Sequence, residues 1–302
     1  METLLTASKA PVIRPLSPAD PRPRGFDIEI PLAAGEVIEA RVDTYSDRLR
    51  CDHPAVADGL GEALKESAEE AARGRIVVLA RAELAEELER AEFAREALIP
   101  GFYGGEEDCA VLGYSLDQQR AEPGFVAEVE RVDALIQQGP QRPARRHPPV
   151  ETERATVEDA EPIAELIADT FAQYPTPSGV PAYIEQAIED GVPFRVVRED
   201  DKVIACASAD LIREAKTAEL TDCATRPSCR GRGLMQAILS DLMADLSELG
   251  YPTAFTLARA RIPGVNLAFQ RLGFEYRGRM TRSCRIGGGL EDMNVWSRRL
   301  AS

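Results

Sequence analysis

A short basic loop between two apolar segments is the part of the sequence best suited to chemistry. Residues 226–235 read RPSCRGRGLM, with three arginines and no acidic residue, in a chain that has 51 Asp and Glu against 36 Lys and Arg. Glycines allow a backbone to approach a ligand closely, and the first turn of a helix presents free N–H groups and a partial positive charge. The loop is therefore predicted to bind an anion such as a pyrophosphate.

Common phosphate-binding motifs do not account for this loop. A Walker A loop needs GxxxxGK[ST] and a dinucleotide-binding turn needs GxGxxG, and residues 226–235 fit neither pattern. The alternative interpretation is a surface turn whose arginines are solvated.

The segments around the loop predict a strand, the loop and then a long helix. Residues 218–225 have a strand pattern, and residues 253–259 predict the next strand. Between them, Leu234, Ile238, Leu242 and Leu246 fall on one helical stripe, and Gly250 marks the helix end. This arrangement places the glycines of the loop at the mouth of the helix.

Proline, glycine and arginine at residues 138–149 (QGPQRPARRHPP) predict the main boundary in the chain. We expect a flexible tail at residues 1–25, an N-terminal α/β domain at 26–117, a connector at 118–150 and a second domain at 151–302. Residues 74–103 and 252–280 share the order strand, LARA, short helix, Phe, strand. The first domain is therefore interpreted as a truncated copy of the second that lacks the basic loop.

Composition excludes several classes of function. A formal charge of −15 argues against a nucleic-acid partner and favours small cationic substrates. No apolar run is long enough to cross a membrane. Six cysteines without a CxxC pair and only two histidines predict no metal site and no disulfide framework, with reduced thiols in the cytoplasm.

Several motifs together resemble one family. The second half of the chain resembles the GNAT acetyltransferases, and among them the β-lysine Nε-acetyltransferases, in the motifs ELTDCAT, RGRGLM, LGFEYRGRM and GGLEDMNVW. The first half resembles the N-terminal part of that group in the segments EARVDTYSDRLR and EALIPGFYGGEEDCAVLGYSL. The resemblance covers about residues 26–300. It implies a GNAT fold of the α+β class with a mixed sheet, preceded by a half-GNAT-like domain.

The resemblance also implies an activity: transfer of acetyl from acetyl-CoA to the side-chain amine of β-lysine, which gives the compatible solute Nε-acetyl-β-lysine. Two alternatives stay open. One is a GNAT enzyme for another amine (a diamine, an amino acid or a protein lysine), and the other is a non-catalytic acetyl-CoA sensor. The sequence also leaves open whether the protein is a homodimer.

In the family, acetyl-CoA lies between the strand before the loop and its splayed neighbour. By position, the implied acetyl-CoA contacts are the backbone groups of Cys223, Ala224, Thr225, Arg230, Gly231, Arg232, Gly233, Leu234 and Met235, together with Asn266. Met235 departs from the usual Gly or Ala. Cys223 is interpreted as a packing residue, because no histidine lies near it in sequence to activate it.

Aminolysis needs a neutral amine, so a carboxylate must take a proton from an ammonium of pKa near 10.4. Glu219 occupies the general-base position of some GNAT enzymes and is the favoured base. Asp222, three residues on, is expected on the opposite strand face unless a bulge reverses it. Phe269 stands where many members have a tyrosine acid, so Tyr276 or water is expected to protonate the leaving thiolate, which can also leave unprotonated.

A β-lysine site needs groups of both charges. Arg259 and Arg261 are the candidates for binding the substrate carboxylate. The candidates for binding its second ammonium are Asp222, Glu291 and Asp292. Tyr103 and Asp108 are expected to extend the pocket from the first domain.

Overall fold

In the part of the chain that the structure describes, thirteen strands form one continuous mixed sheet that runs through both halves. The computed structural model describes residues 17–33, 35–56, 58–139 and 150–300. The strands are β1 (Gly25–Pro31), β2 (Val37–Asp43), β3 (Arg48–Asp52), β4 (Arg75–Arg81), β5 (Ala94–Tyr103), β6 (Glu107–Ser115), β7 (Glu153–Arg154), β8 (Phe194–Glu199), β9 (Lys202–Ile212), β10 (Thr217–Thr225), β11 (Thr253–Arg259), β12 (Glu275–Ile286) and β13 (Gly289–Arg299). The helices are α1 (Leu60–Glu70), α2 (Ala85–Arg90), α3 (Gln118–Ala121), α4 (Val126–Gln137), α5 (Ala160–Thr170), α6 (Pro181–Glu189), α7 (Leu234–Glu248) and α8 (Pro263–Arg271).

The two halves of the sheet have the same strand order. The order is β1-β2-β3-β4-β6-β5 in the first half and, read from the opposite edge, β8-β9-β10-β11-β13-β12 in the second. In each half one parallel pair, β3 with β4 or β10 with β11, is connected by a helix, α1 or α7. The second half has three additional elements, β7, α5 and α6, before β8, the strand that corresponds to β1. The repeat that the sequence indicates at residues 74–103 and 252–280 is therefore part of a longer structural repeat of six strands in each half.

Equivalent positions meet where the halves join. β5 pairs with β12 antiparallel at Ala97 and Gly278, and both residues follow a bulge at the same place in their ladders with β6 and β13. An antiparallel pair of equivalent residues gives the halves an approximate two-fold relation. Gly278 has φ +145°, and a Cβ there would lie 2.0 Å from the carbonyl oxygen of Glu96, so this close approach needs glycine.

Apolar side chains cover both faces of the sheet. Val78 and Leu88 belong to the cluster under α1 and α2, and Leu220 and Leu242 belong to the cluster under α7 and α8. A third cluster contains Val77 and Ile99 from the first half together with Phe255 and Met280 from the second. The two halves therefore face each other across a shared apolar layer.

The long helix forms where the sequence predicts it. Gly233, with φ +81°, precedes α7, and Gly250, with φ +79°, follows it. Leu234, Ile238 and Leu242 are buried against the sheet. The local sequence thus specifies both ends of α7 and its buried face.

The segments before the first half and between the two halves each contact the second half. Within the tail expected at residues 1–25, Gly179 N–H donates to the carbonyl of Pro18 at 3.1 Å, while residues 1–16 lie outside the described part of the chain. In the connector, Gln270 on α8 donates to the carbonyl of Ile136 on α4 at 2.8 Å. Among the described helices, none is both long and apolar enough to cross a membrane.

Candidate active site

The strands β10 and β11 separate beside the basic loop. They pair in parallel only from Thr217 to Glu219, although β10 continues to Thr225 along β9. Thr256 Oγ1 still donates to the carbonyl of Leu220 at 2.8 Å, and a bulge follows between Thr221 and Ala224. The β11-facing backbone of the last β10 residues is therefore open to a ligand.

The loop presents a row of free backbone donors. Within the described residues, no acceptor is bonded to the N–H groups of residues 231–236, and the first bonded amide of this segment is that of Ala237, which donates to Gly233. Gly231 and Gly233 have φ of +77° and +81°. Because these donors coincide with the positive end of a fifteen-residue helix, the loop is suited to bind an anion such as a pyrophosphate.

The loop arginines have different environments. Arg232 forms a bidentate pair with Glu199 at 2.7 and 3.1 Å, and both side chains are about half exposed. Arg230 donates from Nε to the carbonyl of Thr225 at 3.4 Å. Exposed ion pairs are weak, so a phosphate can replace Glu199 as the partner of Arg232.

A cavity of about 400 Å³ lies between the two halves of the sheet. Its wall is mixed, with nine apolar side chains and seven polar ones. The apolar residues are Val77, Leu79, Ile99, Val111, Leu211, Ile212, Phe255, Leu257 and Met280. The polar residues are Arg48, Arg50, Asp52, His53, Asp210, Glu214 and Glu219. Size and polarity suit one small charged molecule.

Glu219 lies in this wall at the last paired residue before β10 and β11 separate. Desolvation raises the pKa of Glu219 to about 7, against the opposing effect of the nearby guanidinium groups of Arg50 and Arg48. A carboxyl group with a pKa near neutrality can accept a proton and release it at the working pH. Position and pKa both suit a general base.

Asp222 does not lie on the strand face opposite to Glu219, and the bulge that the sequence left open as the alternative is present. Asp222 has φ +50° within the bulge, and its carboxylate accepts a hydrogen bond from Ser208 Oγ at 2.9 Å. Ser208 and Asp210 alternate onto the same face of β9, and Asp210 pairs directly with Glu219. Asp222 therefore shares the face of Glu219, because the bulge reverses the alternation of the strand.

Asp222 is buried and already hydrogen-bonded, whereas Asp210 lines the cavity. Burial raises the pKa of Asp222, and hydrogen bonds from Ser208, Ser178 and Tyr174 oppose that rise. Desolvation, followed by the carboxylates of Asp222 and Glu219, raises the pKa of Asp210 well above its usual range. Since Asp210 lies directly across the strand pair from Glu219, these two acids form a neighbouring pair in the cavity wall that an ammonium group can reach.

The structure does not place Tyr276 for the role of general acid. Tyr276 pairs with Trp296 and contacts it edge to face at 5.6 Å, on the side of the sheet opposite to Glu219. The strand order β10-β11-β13-β12 puts it three strands away, about 14 Å by the usual strand spacing. Phe269 is fully buried against Phe274.

Asn266 also differs from its expected role. Its Nδ2 donates to the carbonyls of Arg259 and Ile262 at 2.9 and 2.8 Å, and its Oδ1 accepts from Asn294 and Trp296 at 2.9 Å each. The residue has no exposed surface. Its side chain therefore fixes the start of α8 to β13 and has no donor left for acetyl-CoA.

The charged residues at the end of β11 bind each other. Glu291 is buried and accepts from Arg259 at 2.8 Å and from Arg261 at 2.6 Å. Asp292 is also buried and accepts from the backbone N–H groups of Gly124 and Arg282. These four residues are outside the cavity wall, so the expected carboxylate and ammonium sites are not formed by them.

Three further candidates have roles that the structure makes clear. Burial raises the pKa of the Cys223 thiol to about 12, which keeps it protonated and poorly nucleophilic. Asp108 accepts from Gly101 N–H at 2.9 Å and so stabilises the β5–β6 turn. The hydroxyl of Tyr103 lies 3.0 Å from Nδ1 of His53, so Tyr103 contacts a residue of the cavity wall without lining the cavity itself.

Sequence reasoning missed the polar cavity residues that come from β3 and β9. Arg48, Arg50 and Asp52 alternate with Leu49 and Cys51, which face the α1 and α2 cluster. That alternation was a usable signal, since it puts three charged side chains on one face of a short strand. Asp210 and Glu214 line the opposite wall of the cavity, and no pattern in the sequence predicted this.

Comparison with known proteins identifies the family. The acetyltransferase (GNAT) family model matches residues 160–274. The chain is 34% identical over 263 residues to a β-lysine N(6)-acetyltransferase from Methanosarcina mazei, covering 79% of this chain and 96% of that protein. This chain belongs to the GNAT family of acetyltransferases.

Two further proteins are similar to this GNAT acetyltransferase, one over most of the chain and one over half of it. It is 30% identical over 246 residues to the N-acetyltransferase YodP from Bacillus subtilis, which covers 82% of this chain and 88% of that protein. A solved phosphinothricin acetyltransferase from Sinorhizobium meliloti in complex with AcCoA is similar over 50% of this chain and 89% of its own, at 21% identity and a TM-score of 0.44. The predicted GNAT fold is confirmed, and the protein is an acetyl-CoA-dependent acetyltransferase.

Proposed function

We propose that this GNAT enzyme transfers acetyl from acetyl-CoA to the side-chain amine of β-lysine and so forms Nε-acetyl-β-lysine. The observation that carries the proposal is Glu219, a carboxyl group of pKa about 7 in a cavity with both signs of charge, at the point where β10 and β11 separate. The match to a β-lysine N(6)-acetyltransferase over 96% of that protein supports the choice of acceptor.

In the proposed reaction Glu219 takes a proton from the ε-ammonium, and the neutral amine forms the new N–C bond with the acetyl carbon. Acetyl-CoA supplies the acetyl group, and the C–S bond breaks with its electron pair on sulfur, so that CoA leaves as the thiolate. The nitrogen loses its second proton as the amide forms, and the thiolate takes up a proton from this nitrogen or from water. The open backbone donors at the end of β10 are proposed to hold the thioester carbonyl. Asp210, opposite Glu219, is proposed to accept a hydrogen bond from the second amino group of the acceptor and so to keep that group near the base.

The donor site is proposed to be the basic loop and the strand before it. Six free amides at residues 231–236 would bind the pyrophosphate, with Arg230 and Arg232 at its edge. Backbone groups of Cys223, Ala224 and Thr225 would lie along the pantetheine. The protein would then produce a compatible solute in the cytoplasm without a metal.

We propose the domain division at 26–117 and 151–302, with the first domain a GNAT-like half that has lost its own anion site. The loop before α1 has a glycine at its last position, Gly59 with φ +69°, as the loop before α7 has Gly233. The segment at residues 53–59 reads HPAVADG and contains no arginine. The first half would thus provide one wall of the acceptor cavity and no second donor site.

An acceptor panel tests the proposed function. β-Lysine, α-lysine, ornithine and spermidine are each incubated with acetyl-CoA, thiol release is followed, and mass spectrometry locates the acetyl group. We expect β-lysine to exceed α-lysine at least ten-fold in kcat/KM, because one misplaced charge-assisted hydrogen bond costs about 1.5–3 kcal/mol. Equal use of the two lysines, or an acetyl on the β-nitrogen, contradicts the proposed acceptor.

The role of the base is tested by a matched pair of variants. Glu219→Gln is expected to lower kcat by roughly 10²–10⁴-fold near neutral pH, with partial recovery at high pH where free amine accumulates. The rise of wild-type kcat/KM through pH about 7 should be absent in that variant. If Asp222→Asn shows this behaviour and Glu219→Gln does not, the assignment of the base is reversed.

A further inference from the structure

Arg50 occupies in the first half the position that Glu219 occupies in the second. Arg50 pairs with Val77 in the parallel ladder of β3 and β4, and Glu219 pairs with Phe255 in that of β10 and β11. Val77 and Phe255 are themselves equivalent, since each is two residues before the Leu-Ala-Arg that ends its strand. Two related strands thus bring opposite charges to one cavity.

The surroundings of Arg50 leave donors for a ligand. One Nη2–H goes to Asp52 at 2.8 Å, while the Nε is buried without an acceptor among the described residues. Buried guanidinium donors are normally paired, and a carboxylate is the planar partner that fits two of them at once. Four other arginines of the described residues, Arg24, Arg75, Arg120 and Arg259, also have an unpaired Nε, but only Arg50 among these five lines the cavity. Its free donor is therefore the one placed where an anionic group of a ligand can bind.

Arg48, the other cavity arginine, is already occupied. It donates to Asp43 at 2.9 Å and to the carbonyl and hydroxyl of Ser283 at 2.7 and 3.1 Å, so it connects β3 with β12. Its side chain is 7% exposed, against 33% for Arg50. Of the two arginines, Arg50 is the one that a ligand can reach.

The charged side chains of the cavity wall indicate what kind of molecule can bind there. Asp52, Asp210, Glu214 and Glu219 give four carboxyl groups against the two guanidinium groups. The geometry points to Arg50 as the residue that binds the carboxylate of a diamino-acid acceptor, while Asp210 and Glu219 face its amino groups. This inference rests on the proposed function and gives the first half a part in substrate selection.

Binding measurements test the role of Arg50 separately from turnover. Isothermal titration at pH 8 compares β-lysine with its amide, 3,6-diaminohexanamide, in which a neutral group replaces the carboxylate. Wild type should bind β-lysine roughly 10–150-fold more tightly than the amide. Arg50→Gln should lose this factor, so that β-lysine and the amide bind with similar affinity. The variant also loses the Asp52 pair and a positive charge near Glu219, but these changes affect the acid and the amide alike and leave their ratio as the measure of the carboxylate contact.

Two more variants complete the experiment. Arg95→Gln removes another strand arginine of the first half, which pairs with Glu89 at 2.9 Å outside the cavity, and it should keep the wild-type preference for the acid. Arg50→Lys keeps the charge without the planar fork and should show a reduced preference. It also provides the test if Arg50→Gln does not fold.

The outcomes separate this inference from the proposed function. Equal wild-type affinity for acid and amide, or an equal loss for both in Arg50→Gln, overturns the role of Arg50 even if Nε-acetyl-β-lysine is formed. A preference for the acid that depends on Arg50, without acetylation of β-lysine, supports Arg50 and contradicts the proposed reaction. If wild type binds neither compound, both are wrong.

Discussion

Replacement of Glu219 by glutamine removes a carboxyl group that the fold holds in an unfavourable environment. Desolvation raises the pKa of Glu219 from 4.5 to about 7, so the folded state binds this proton more tightly than the unfolded chain does. The stability contributed by this group is complete below about pH 4.5 and is lost as the pH rises through about 7. Glutamine keeps the shape of the side chain without the pH-dependent charge.

The size of the effect follows from the two pKa values. At about 1.4 kcal/mol per pKa unit, the difference between 4.5 and about 7 corresponds to about 3 kcal/mol at pH 8. At pH 5 the same relation gives less than about 1 kcal/mol, because the folded carboxyl group is still protonated. Glu219→Gln should therefore be more stable than wild type at pH 8, while its activity is greatly reduced.

Urea unfolding of wild type and Glu219→Gln at pH 5 and pH 8 measures this difference. Glu106→Gln, at an exposed site in the turn before β6, is the control and should show no comparable gain. A stability gain of Glu219→Gln that is the same at both pH values would show that the carboxyl group is not strained by desolvation. A variant less stable than wild type at pH 8 would refute the reasoning for the base.

Three further outcomes are expected. Gly233→Val should raise the KM for acetyl-CoA at least ten-fold. The control is Gly35→Val, which also replaces a glycine of positive φ (+97°) but has open surroundings, and it should leave this KM unchanged. Equal KM values in the two variants would show that the loop is not part of the donor site. Tyr276→Phe should keep kcat within about two-fold, and a ten-fold fall would restore Tyr276 as the acid. Asn266→Ala should cost about 2–4 kcal/mol in urea unfolding, because Asn294 and Trp296 lose their acceptor, with little change in the KM of the folded enzyme.

The local sequence was sufficient to predict the structure of the loop that we propose as the donor site. The glycines that bound α7, the apolar stripe between them and the strand before the loop are all properties of residues close together in the chain. Helix termini and φ-positive glycines act over a few residues, so a pattern in the sequence is enough to locate them. The same holds for the family, since its motifs are contiguous segments.

The acceptor site was decided by contacts between distant segments. One left-handed residue, Asp222, turned its carboxylate to the face of Glu219, and strand alternation alone could not reveal this. Glu291 forms ion pairs with both Arg259 and Arg261, and these residues come close together only when β11 pairs with β13. Such partners depend on register between strands, which the sequence of either strand does not contain.

Arg50 shows the same limit most clearly. Its alternation on β3 determines which face of the strand it lies on, but its distance from Glu219 depends on how the two halves join at Ala97 and Gly278. That junction folds one half of the sheet over the other and closes the cavity. The sequence therefore determined the glycines, charges and helix start of the proposed donor loop, and only the tertiary structure decided which charged side chains line the proposed acceptor cavity.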